Sequence, residues 1–525
     1  MRVEIRYNFW TVLVVVSVSI VTTCVLPVEN ARILAIQTYG GKSHWNFMSA
    51  LLRALTDGGH AVTVFTPFPE GDRDNYTEVD TSNILPLKVG IDIMTLRRLV
   101  GNAYTLVSLN MEIAKLNCDN IYNDHRLTDL MAKGLDGHFD AIVIEPGLPS
   151  CMTYVAAGTS LPLVYSAPMP TMWLADRRTF GDVPNPAAVS SILARHAVPK
   201  TFAQRFSNTL LTLFAEAYIA LRASTTKSVV DDGPKPYDTY DVPVPPSIVF
   251  TNGHYISDAS RPIPANVVNV GGIHLKPPER IPKDILEFIE DSPHGVILFT
   301  FGSTVLISSI PDHIKIVFLE TLSRLPQRTI LKYEGVMDNK PHNVMIKKWL
   351  PQRDILVHPK VKLFVSHGGI AGMYEAVDAG VPVLGFPVFT DQFRNIDNLV
   401  EAGMAISMEI LSVSGDSFYE NIVELVDNEK YAKNAKIASE LFNDRPMSPQ
   451  QSVVYWTEYV IRHKGAPHLK SQALNLTWYQ YLLLDVIAVL FVLILIVSFV
   501  LYRISKKIFY LLVIKHSRVI KTKHE

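Results

Sequence analysis

The chain has 525 residues, which exceeds a single typical core, so two domains with accessory segments are expected. Hydrophobic residues make up 48% of the chain and charged residues 19%, which indicates a globular protein with membrane-facing parts. The formal net charge of −1 argues against a nucleic-acid partner, because such a partner selects a basic face.

The N-terminus has the pattern of a secretory signal peptide. Arg2 and Arg6 precede an apolar run from Phe9 to Val21, and a smaller, more polar segment follows it. We therefore predict a signal peptide over residues 1–29. The alternative is an N-terminal membrane anchor, which the shortness of the run disfavours.

Alternating strand and helix patterns fill the first half of the mature chain. The strands are predicted at 32–37, 61–65, 139–145 and 163–166, with helices near 43–57 and 150–157. This alternation predicts a parallel, doubly wound α/β sheet. Residues 85–135 and 202–222 have amphipathic helical patterns, which favour the walls of an apolar pocket, although core packing explains them as well.

A proline-rich segment around residues 270–293 separates this half from the next one. It predicts a boundary between a domain over 30–275 and a domain over 276–464. Strand and helix patterns resume at Val296. The helical region 431–464 is expected to return across the cleft between the two domains.

Two polar residues lie where predicted strands of the first domain end. His44 begins the helix after the first strand, and Glu145 ends a later strand. Because parallel strands end at the same edge of a sheet, we expect both side chains at one rim. A carboxylate bound to one imidazole nitrogen raises the basicity of the other, which suits removal of a proton. For a histidine in isolation, helix capping or burial is the commoner role.

Residues 363–392 have the pattern of a strand, a glycine turn, a helix, a second strand and a polar loop. Residues 367–369 break the first apolar run, and the helix that follows offers free N–H groups to an anion such as a diphosphate. Glu375 is suited to accept hydrogen bonds from ribose hydroxyls. Asp391 and Gln392 are suited to bind the hydroxyls of a sugar.

The C-terminal part of the sequence has the pattern of a membrane anchor. Residues 481–502 are almost entirely apolar and long enough to cross a bilayer, with Asp485 near their start. The tail over 503–525 is basic, so the positive-inside rule predicts a single-pass type I protein with a cytoplasmic tail. Lys521 and Lys523 resemble the dilysine retrieval signal of endoplasmic-reticulum membrane proteins, which a coat receptor reads.

Asn75 and Asn475 begin sequons for lumenal glycosylation, although Asn475 is close to the predicted membrane segment. Cys118 and Cys151 are the cysteines of the mature body. The sequence leaves two alternatives open: the cysteines form a disulfide in an oxidising lumen, or they remain separate buried thiols.

The spacing from residue 364 through Glu375, Pro382 and Pro387 to Asp391-Gln392 resembles the signature of the UDP-glycosyltransferase family (glycosyltransferase family 1), in its membrane-bound animal branch. The competing interpretation is an ordinary nucleotide-fold βαβ unit. The resemblance implies a GT-B architecture, in which two doubly wound nucleotide-type domains face a cleft, plus one C-terminal transmembrane helix. It assigns acceptor binding to the N-terminal domain and UDP-sugar binding to the C-terminal domain.

The resemblance also implies roles for individual residues. His44 matches the family's catalytic base, and Glu145 stands where the family has the aspartate that partners it. The extra methylene of Glu145 makes this pair less secure than the base itself. The residues that the resemblance assigns to the donor diphosphate, uracil and nucleoside are Ser303, Trp349, Gln352, His367, Gly368, Gly369 and Ala371.

Two of these donor assignments have alternatives. Trp349 matches the tryptophan that stacks on uracil, and the competing interpretation is an ordinary core tryptophan. Ala371 lacks the polar side chain that many relatives have there, so one phosphate hydrogen bond must come from backbone or water. Asp72-Arg-Asp74 resembles a metal-binding Asp-x-Asp motif, but no hydrophobic strand precedes it. We expect no metal at the site, because helix-end and side-chain donors can stabilise the leaving group.

The function that the resemblance implies is transfer of a hexose, glucose in first place, from a UDP-sugar to a hydroxyl of a small lipophilic acceptor. Inversion to a β-glycoside, a lumenal site at the endoplasmic reticulum and a role in detoxification are implied with it, and no cofactor. Met169, Met172, Trp173 and Phe180 lie near the expected pocket and suit an apolar ligand.

The alternative function is a catalytically weakened, membrane-bound carrier of small lipophilic ligands. Glu145 and Ala371 are the departures that keep it open. The acceptor, the choice between UDP-glucose and UDP-glucuronate, and the formation of a homo-oligomer are not decided by the sequence.

Overall fold

The computed structural model describes residues 30–147, 151–170, 179–181, 184–223, 242–335, 337 and 339–521. The predicted signal peptide, Met172, Trp173 and Lys523 lie outside the described residues. The chain forms two compact units, of which one ends at Lys470 and the other begins at Ser471.

The strands are β1 (Arg32–Ile36), β2 (Ala61–Thr66), β3 (Tyr76–Asp80), β4 (Ala141–Ile144), β5 (Leu163–Ala167), β6 (Ile248–Thr251), β7 (Val267–Asn269), β8 (Val296–Thr300), β9 (Arg328–Lys332), β10 (Val344–Lys347), β11 (Val361–Ser366), β12 (Val383–Gly385) and β13 (Ala405–Ser407).

The helices are α1 (Lys42–Asp57), α2 (Ile93–Val100), α3 (Ala103–Tyr122), α4 (His125–Ala132), α5 (Phe202–Ala223), α6 (Lys283–Glu290), α7 (Asp312–Ser323), α8 (Gln352–Leu356), α9 (Ile370–Ala379), α10 (Gln392–Glu401), α11 (Gly415–Asp427), α12 (Glu429–Asn443), α13 (Pro449–Arg462), α14 (Trp478–Tyr481) and α15 (Leu484–Lys521). The helix predicted near 150–157 is a short 3₁₀ turn, Cys151–Val155.

Two parallel sheets form the framework of the first unit. The strand order is β3-β2-β1-β4-β5-β6-β7 in one sheet and β10-β9-β8-β11-β12-β13 in the other. The first sheet uses residues 32–269 and the second 296–407, which fall inside the predicted domains 30–275 and 276–464. The exact domain bounds stay a prediction.

Both sheets are covered on both faces, because their strands are apolar at successive positions. In β1, Ile33 and Ala35 belong to one core, whereas Leu34 and Ile36 belong to the core on the opposite face. The same alternation divides β8 between two cores. Strands that are buried on both faces need helices on both sides, so the predicted doubly wound α/β class is confirmed.

Helix α13 packs on the first sheet although it follows the second one in the chain. Val453 and Val460 are fully buried in the same core as Phe47 and Leu51 of α1. Ser448 caps this helix in a reciprocal capping box, and Pro449 opens its first turn, so the start of the helix is fixed by local sequence.

The second unit contains a candidate membrane-spanning helix. Leu484–Ile514 is long and apolar enough to cross a membrane by length and composition, with a mean hydropathy of 3.1 in its most apolar window. This span begins later than the predicted 481–502 and continues further. Thr477 caps a separate short helix, α14, and Leu483 has a φ of 54°, which interrupts the helical path before Leu484.

Candidate active site

A cavity of about 630 Å³ is lined by loops that follow strands of both sheets. In open α/β sheets, ligands bind at these carboxyl ends of the strands. The predicted site residues that line this cavity are His44, Glu145, Ser303, Trp349, Gln352, His367, Gly369, Ala371, Glu375, Asp391 and Gln392. Residues from positions 44 to 392 are therefore brought together by the fold.

On the first-sheet rim, the imidazole of His44 is hydrogen-bonded through Nδ1 to Oε1 of Glu145. Because an ionised carboxylate only accepts, Nδ1 carries the proton and Nε2 is left with its lone pair. About a quarter of the His44 side chain is exposed, at 24%, whereas Glu145 is buried. The pairing exists because β1 and β4 are neighbours in register, with Ile36 opposite Ile144.

Three further groups hold this pair, and the sequence did not single them out. Gln37 follows the end of β1 directly, and its Nε2 donates to Oε2 of Glu145. Thr38 Oγ1 donates to the Glu145 carbonyl oxygen at 3.1 Å. The Tyr39 ring lies 4.6 Å from the His44 ring, centroid to centroid. Burial, and then the charge of Glu145, raises the pKa of Tyr39 to about 12, so its hydroxyl stays protonated.

Trp349 is the most exposed of the predicted donor residues, with 71% of its surface open to solvent. This exposure excludes the interpretation as a core tryptophan and leaves a flat aromatic face at the cavity. Gln352 begins α8, and its Nε2 donates to Oε2 of Glu375 at 2.5 Å. Burial raises the pKa of Glu375 to about 7, although the Gln352 hydrogen bond acts in the opposite direction.

The glycine turn before α9 presents backbone N–H groups and a neutral histidine. Burial, and then the nearby Lys332, lowers the pKa of His367 to about 4, so its imidazole is uncharged near neutral pH. Gly368 differs from the prediction, because its N–H donates to Ser366 Oγ at 3.2 Å. The N–H groups available to an anion therefore begin at Gly369, the residue before the first turn of the helix.

Gly302 leaves room for the His367 imidazole. Its φ of +70° is a left-handed conformation that glycine adopts readily. A Cβ built on Gly302 would lie 2.8 Å from Cε1 of His367, which is closer than real Cβ contacts. The turn after β8 and the turn after β11 are thus fitted to each other.

The loop that carries Ser303 is held by a segment from the first half of the chain. The Gly90 N–H donates to the Ser303 carbonyl oxygen at 3.0 Å, and the Ile91 N–H donates to the Thr304 carbonyl oxygen at 2.7 Å. The Ile93 N–H donates to Ser309 Oγ at 2.9 Å. Hydrogen bonds between the two halves of the chain therefore hold the loop beside Ser303.

Asp391 and Gln392 lie at the start of α10 and have different surroundings. Oε1 of Gln392 accepts from the N–H groups of Val388 at 2.9 Å and Phe389 at 3.2 Å. This leaves its amide nitrogen as the group that can donate to a ligand. Asp391 accepts from Asn395 Nδ2 at 2.8 Å and from a neighbouring threonine hydroxyl.

Comparison with known proteins identifies the family. The model of the family described as "UDP-glucoronosyl and UDP-glucosyl transferase" matches residues 31–519. The chain belongs to the UDP-glycosyltransferase family. It is 36% identical to UDP-glycosyltransferase UGT5 of Dactylopius coccus, over 91% of this chain and 93% of that protein. It is 31% identical to UDP-glucuronosyltransferase 1A1 of Rattus norvegicus, over 88% of each chain.

Solved structures of glycosyltransferases have the same fold as this UDP-glycosyltransferase. The glycosyltransferase of kitacinnamycin aligns with a TM-score of 0.54 at 17% identity, over 83% of this chain and 99% of that one. Glycosyltransferase VinC, solved in complex with DTDP, aligns with a TM-score of 0.51 at 15% identity, over 82% and 100%. The predictions of the family, of the GT-B architecture and of a UDP-hexosyltransferase are confirmed.

One further polar group of this UDP-glycosyltransferase lies beside Ala371, the position that lacks the polar side chain of many relatives. The Nε2–H of His274 donates to the Ala371 carbonyl oxygen at 3.2 Å. Burial lowers the pKa of His274 to about 4, so this imidazole is neutral as well. His274 comes from the segment between the two sheets, and its proximity to residue 371 is not visible in the sequence.

Cys118 and Cys151 form a disulfide that joins α3 to the Cys151–Val155 turn, and both residues line the cavity. The structure therefore excludes the alternative of two separate thiols. Asn75 and Asn475 are exposed, and their glycosylation stays a prediction. Among the described residues, no group of three or more His, Cys, Asp or Glu side chains is arranged to hold a metal ion.

Proposed function

We propose that this enzyme transfers a hexose from a UDP-sugar to a hydroxyl of a small lipophilic acceptor. The observation that carries the proposal is the hydrogen-bonded pair of His44 and Glu145 at the cavity that Trp349, Glu375 and Asp391 also line. A passive carrier has no use for an imidazole that a buried carboxylate holds in one orientation at the cavity. The geometry therefore favours the enzyme over the carrier.

The proposed reaction is a single displacement. Nε2 of His44 takes the proton of the acceptor hydroxyl, and the acceptor oxygen forms a bond to C1 of the sugar. The bond between C1 and the diphosphate oxygen breaks, and UDP leaves with its electron pair. Because attack comes from the face opposite the leaving group, an α-linked UDP-sugar gives a β-glycoside.

The second-sheet rim is proposed to bind the donor. Trp349 stacks on uracil, with Gln352 near the nucleoside, and Glu375 accepts from the ribose hydroxyls. His367, the N–H groups from Gly369 to Ala371 and Ser303 stabilise the diphosphate as negative charge develops on it. Asp391 and the amide nitrogen of Gln392 bind the sugar hydroxyls. The UDP-sugar is a co-substrate in this proposal, and neither a metal nor a cofactor is required.

Glucose is proposed as the transferred sugar. The chain is 36% identical to UDP-glucosyltransferase 2 of Dactylopius coccus over 88% of its length, compared with 31% for the rat glucuronosyltransferase. The acceptor is proposed to be lipophilic, because Met152, Ala167 and Met169 are among the residues that line the cavity. A role in detoxification is proposed on the same ground.

The enzyme is proposed to be a single-pass type I protein of the endoplasmic reticulum with its body in the lumen. The candidate span Leu484–Ile514, the basic tail and the predicted signal peptide support this topology. The Cys118–Cys151 disulfide suits an oxidising lumen. Replacing Lys521 and Lys523 by serine should release the protein to later compartments, observed by microscopy, and unchanged location would count against retrieval by a coat receptor.

A panel of UDP-sugars and of phenolic and steroidal acceptors tests the function. Membranes that express the wild-type chain are incubated with each pair, and products are identified by mass spectrometry and their anomeric configuration by NMR. Membranes with the His44→Ala variant provide the blank. A β-glycoside formed from UDP-glucose above this blank supports the proposal, whereas acceptor binding without any transfer would favour the carrier.

A further inference from the structure

Helix α1 contributes more of the cavity wall than its catalytic histidine. Lys42, Asn46, Ser49 and Arg53 also line the cavity. They are four, three and four positions apart, so they lie on one face of the helix. We call them the cavity face of α1. The proposed mechanism takes His44 from this helix and gives none of these four residues a role.

Arg53 is a half-buried cation without a counter-ion among the described residues. Its Nη1 donates to Ser49 Oγ at 3.3 Å, and Ser49 is a neutral partner. Lys42 differs, because its Nζ lies 3.7 Å from a carboxylate oxygen of Glu70. Burial lowers the pKa of the Arg53 guanidinium, although the charge of Glu70 acts in the opposite direction. A guanidinium nevertheless stays protonated, so an anion that binds there would offset the cost of its burial.

The hydrogen bond to Ser49 directs the Arg53 guanidinium along the helix towards His44. Ser49 is one turn nearer the N-terminus, and helical side chains lean in that direction. Five residues separate His44 from Ser49, which is about 7.5 Å along the helix axis. In the proposed reaction His44 acts beside C1 of the sugar, and the diphosphate extends from C1 towards the nucleoside. A group at this distance from His44 is therefore placed for the diphosphate and not for the acceptor hydroxyl.

The donor side of the cavity lacks one polar side chain, at Ala371. The carbonyl oxygen of Ala371 accepts from the Nε2–H of His274 at 3.2 Å, and His274 lines the same cavity. Burial lowers the pKa of His274 to about 4, and the charges of Arg353 and Arg53 contribute to this effect. The charge of Arg53 thus acts on the residue that holds Ala371, although the two belong to different parts of the chain.

We infer that Arg53 is a further donor-binding residue, which binds the diphosphate of the UDP-sugar from the first domain in place of the side chain that Ala371 lacks. A guanidinium presents several N–H donors in one plane and matches phosphate oxygens well. The diphosphate then lies between α1 of the first domain and the start of α9 in the second. The inference rests on the proposed donor site and adds to it a contact from the opposite domain.

The carboxylate of a uronic acid sugar is the other anion that a donor could offer to Arg53. The proposed sugar end of the cavity is at Asp391 and Gln392, where the Asp391 carboxylate would repel a uronate. Arg53 is instead connected to the diphosphate turn, because its charge acts on His274 and His274 binds Ala371. The diphosphate is therefore the anion that fits Arg53.

Calorimetric titration of the full-length protein with uridine and with UDP tests the contact. Arg53→Gln removes the charge and keeps a polar side chain, and we expect it to weaken UDP about tenfold and uridine less than twofold. Arg73→Gln is the matched control, because Arg73 is an exposed residue of the same domain whose guanidinium lies 4.1 Å from the Tyr76 ring centroid. The control should leave both affinities within twofold of the wild type.

Two further variants separate a phosphate contact from a structural role. Arg53→Met keeps the packing of the stem and should lose as much UDP affinity as Arg53→Gln, so the test does not depend on the folding of one variant. Arg53→Lys keeps the charge and should recover at least half of the lost affinity on a logarithmic scale. Raising the NaCl concentration should weaken UDP more in the wild type than in Arg53→Gln. Thermal unfolding without ligand establishes that each variant is folded.

Each outcome of these titrations decides between stated alternatives. UDP affinity within twofold of the wild type in the folded Arg53→Gln and Arg53→Met variants would overturn the inference. Equal weakening of uridine and UDP would also overturn it, because the residue would then support the nucleoside site or the fold. Weakening of UDP-glucuronate without weakening of UDP would assign Arg53 to a uronate. If the wild type binds UDP with the expected dependence on Arg53 but transfers no sugar, the proposed function fails and this inference stands.

Discussion

His44 and His367 lie on the two rims of one cavity, and their surroundings differ in solvent, charge and hydrogen bonding. His44 is partly exposed and bound to a buried carboxylate. His367 is buried beside Lys332, and no described residue hydrogen-bonds its Nδ1. The first environment holds the imidazole in one orientation through its hydrogen bond to Glu145. The second keeps the imidazole neutral, with its pKa lowered to about 4.

The comparison extends to the construction of each rim. On the first-sheet rim, side chains hold side chains, since Gln37 and His44 share the two oxygens of Glu145. On the second-sheet rim, the proposed diphosphate site consists of backbone N–H groups at the start of α9. Donors that the backbone holds in place stabilise a negative charge without reorganising. The two rims are expected to respond differently to substitution.

The largest expected effect is a loss of kcat on substitution of His44, which His367 should not share. His44→Ala should lower kcat by about a hundredfold or more, because the general base is lost, while UDP binding changes less than about threefold. His367→Ala should instead weaken UDP binding. Steady-state kinetics and calorimetry with UDP measure both quantities. Retention of a tenth of the wild-type rate by His44→Ala would remove this histidine from the mechanism.

Substitution of the carboxylate should have the next largest effect. Glu145→Gln keeps the size of the side chain but removes the charge that stabilises the imidazolium, and we expect kcat to fall about ten- to a hundredfold. Asp140→Asn, at the other end of the same strand segment, is the matched control, because Asp140 pairs with Arg32 at the surface. If both variants keep full activity, Glu145 has no part in proton transfer.

The pH dependence of donor binding should report on Glu375. Its pKa is raised to about 7, so the carboxylate becomes protonated as pH falls below 7. The ribose hydroxyls then lose their hydrogen-bond acceptor. UDP-glucose affinity should therefore decrease about tenfold from pH 8 to pH 6. The sugar nucleotide is the suitable probe, because its diphosphate has no titrating group in this range. Glu375→Gln should bind more weakly at pH 8 with a flat profile, and an unchanged profile would contradict the assignment.

The smallest expected effects separate Asp391 from Gln392. Asp391→Ala should weaken UDP-glucose several-fold and leave UDP unchanged, since a sugar hydroxyl loses a partner worth about 1 kcal/mol. Gln392→Ala should also lower the melting temperature, because the N–H groups of Val388 and Phe389 lose their acceptor. Calorimetric titration and thermal unfolding measure these changes. Equal weakening of UDP and UDP-glucose by Asp391→Ala would show that it supports the loop alone.

The sequence predicted the second-sheet rim better than the first, because the relevant residues are contiguous. Residues 363–392 contain a strand, a turn, a helix and a loop, and local spacing determines where each side chain emerges. The supports of the first rim bridge distant positions, such as Asn117, whose Nδ2 donates to the Thr38 carbonyl oxygen at 2.8 Å. The contact between residues 90–91 and the Ser303 loop is of the same kind. Contacts between such distant positions leave no pattern in a short stretch of sequence.

Helix α5 illustrates a different limit of sequence patterns. Its periodicity correctly predicts a helix with an apolar side. Which side faces the body depends on the carbonyl groups of Pro186 and Val189, which satisfy Asn208. Those partners belong to a loop without regular structure, so the amphipathic pattern alone does not show which side of the helix is buried.

The fit between Gly302 and His367 restricts how this enzyme can be recombined with its relatives. The two residues are 65 positions apart, yet each determines the space that the other occupies. A chimera that takes the donor signature from a relative with a larger ring at position 367 must also take the turn after β8. Exchange boundaries should therefore lie before Val296, so that both turns are inherited from one parent.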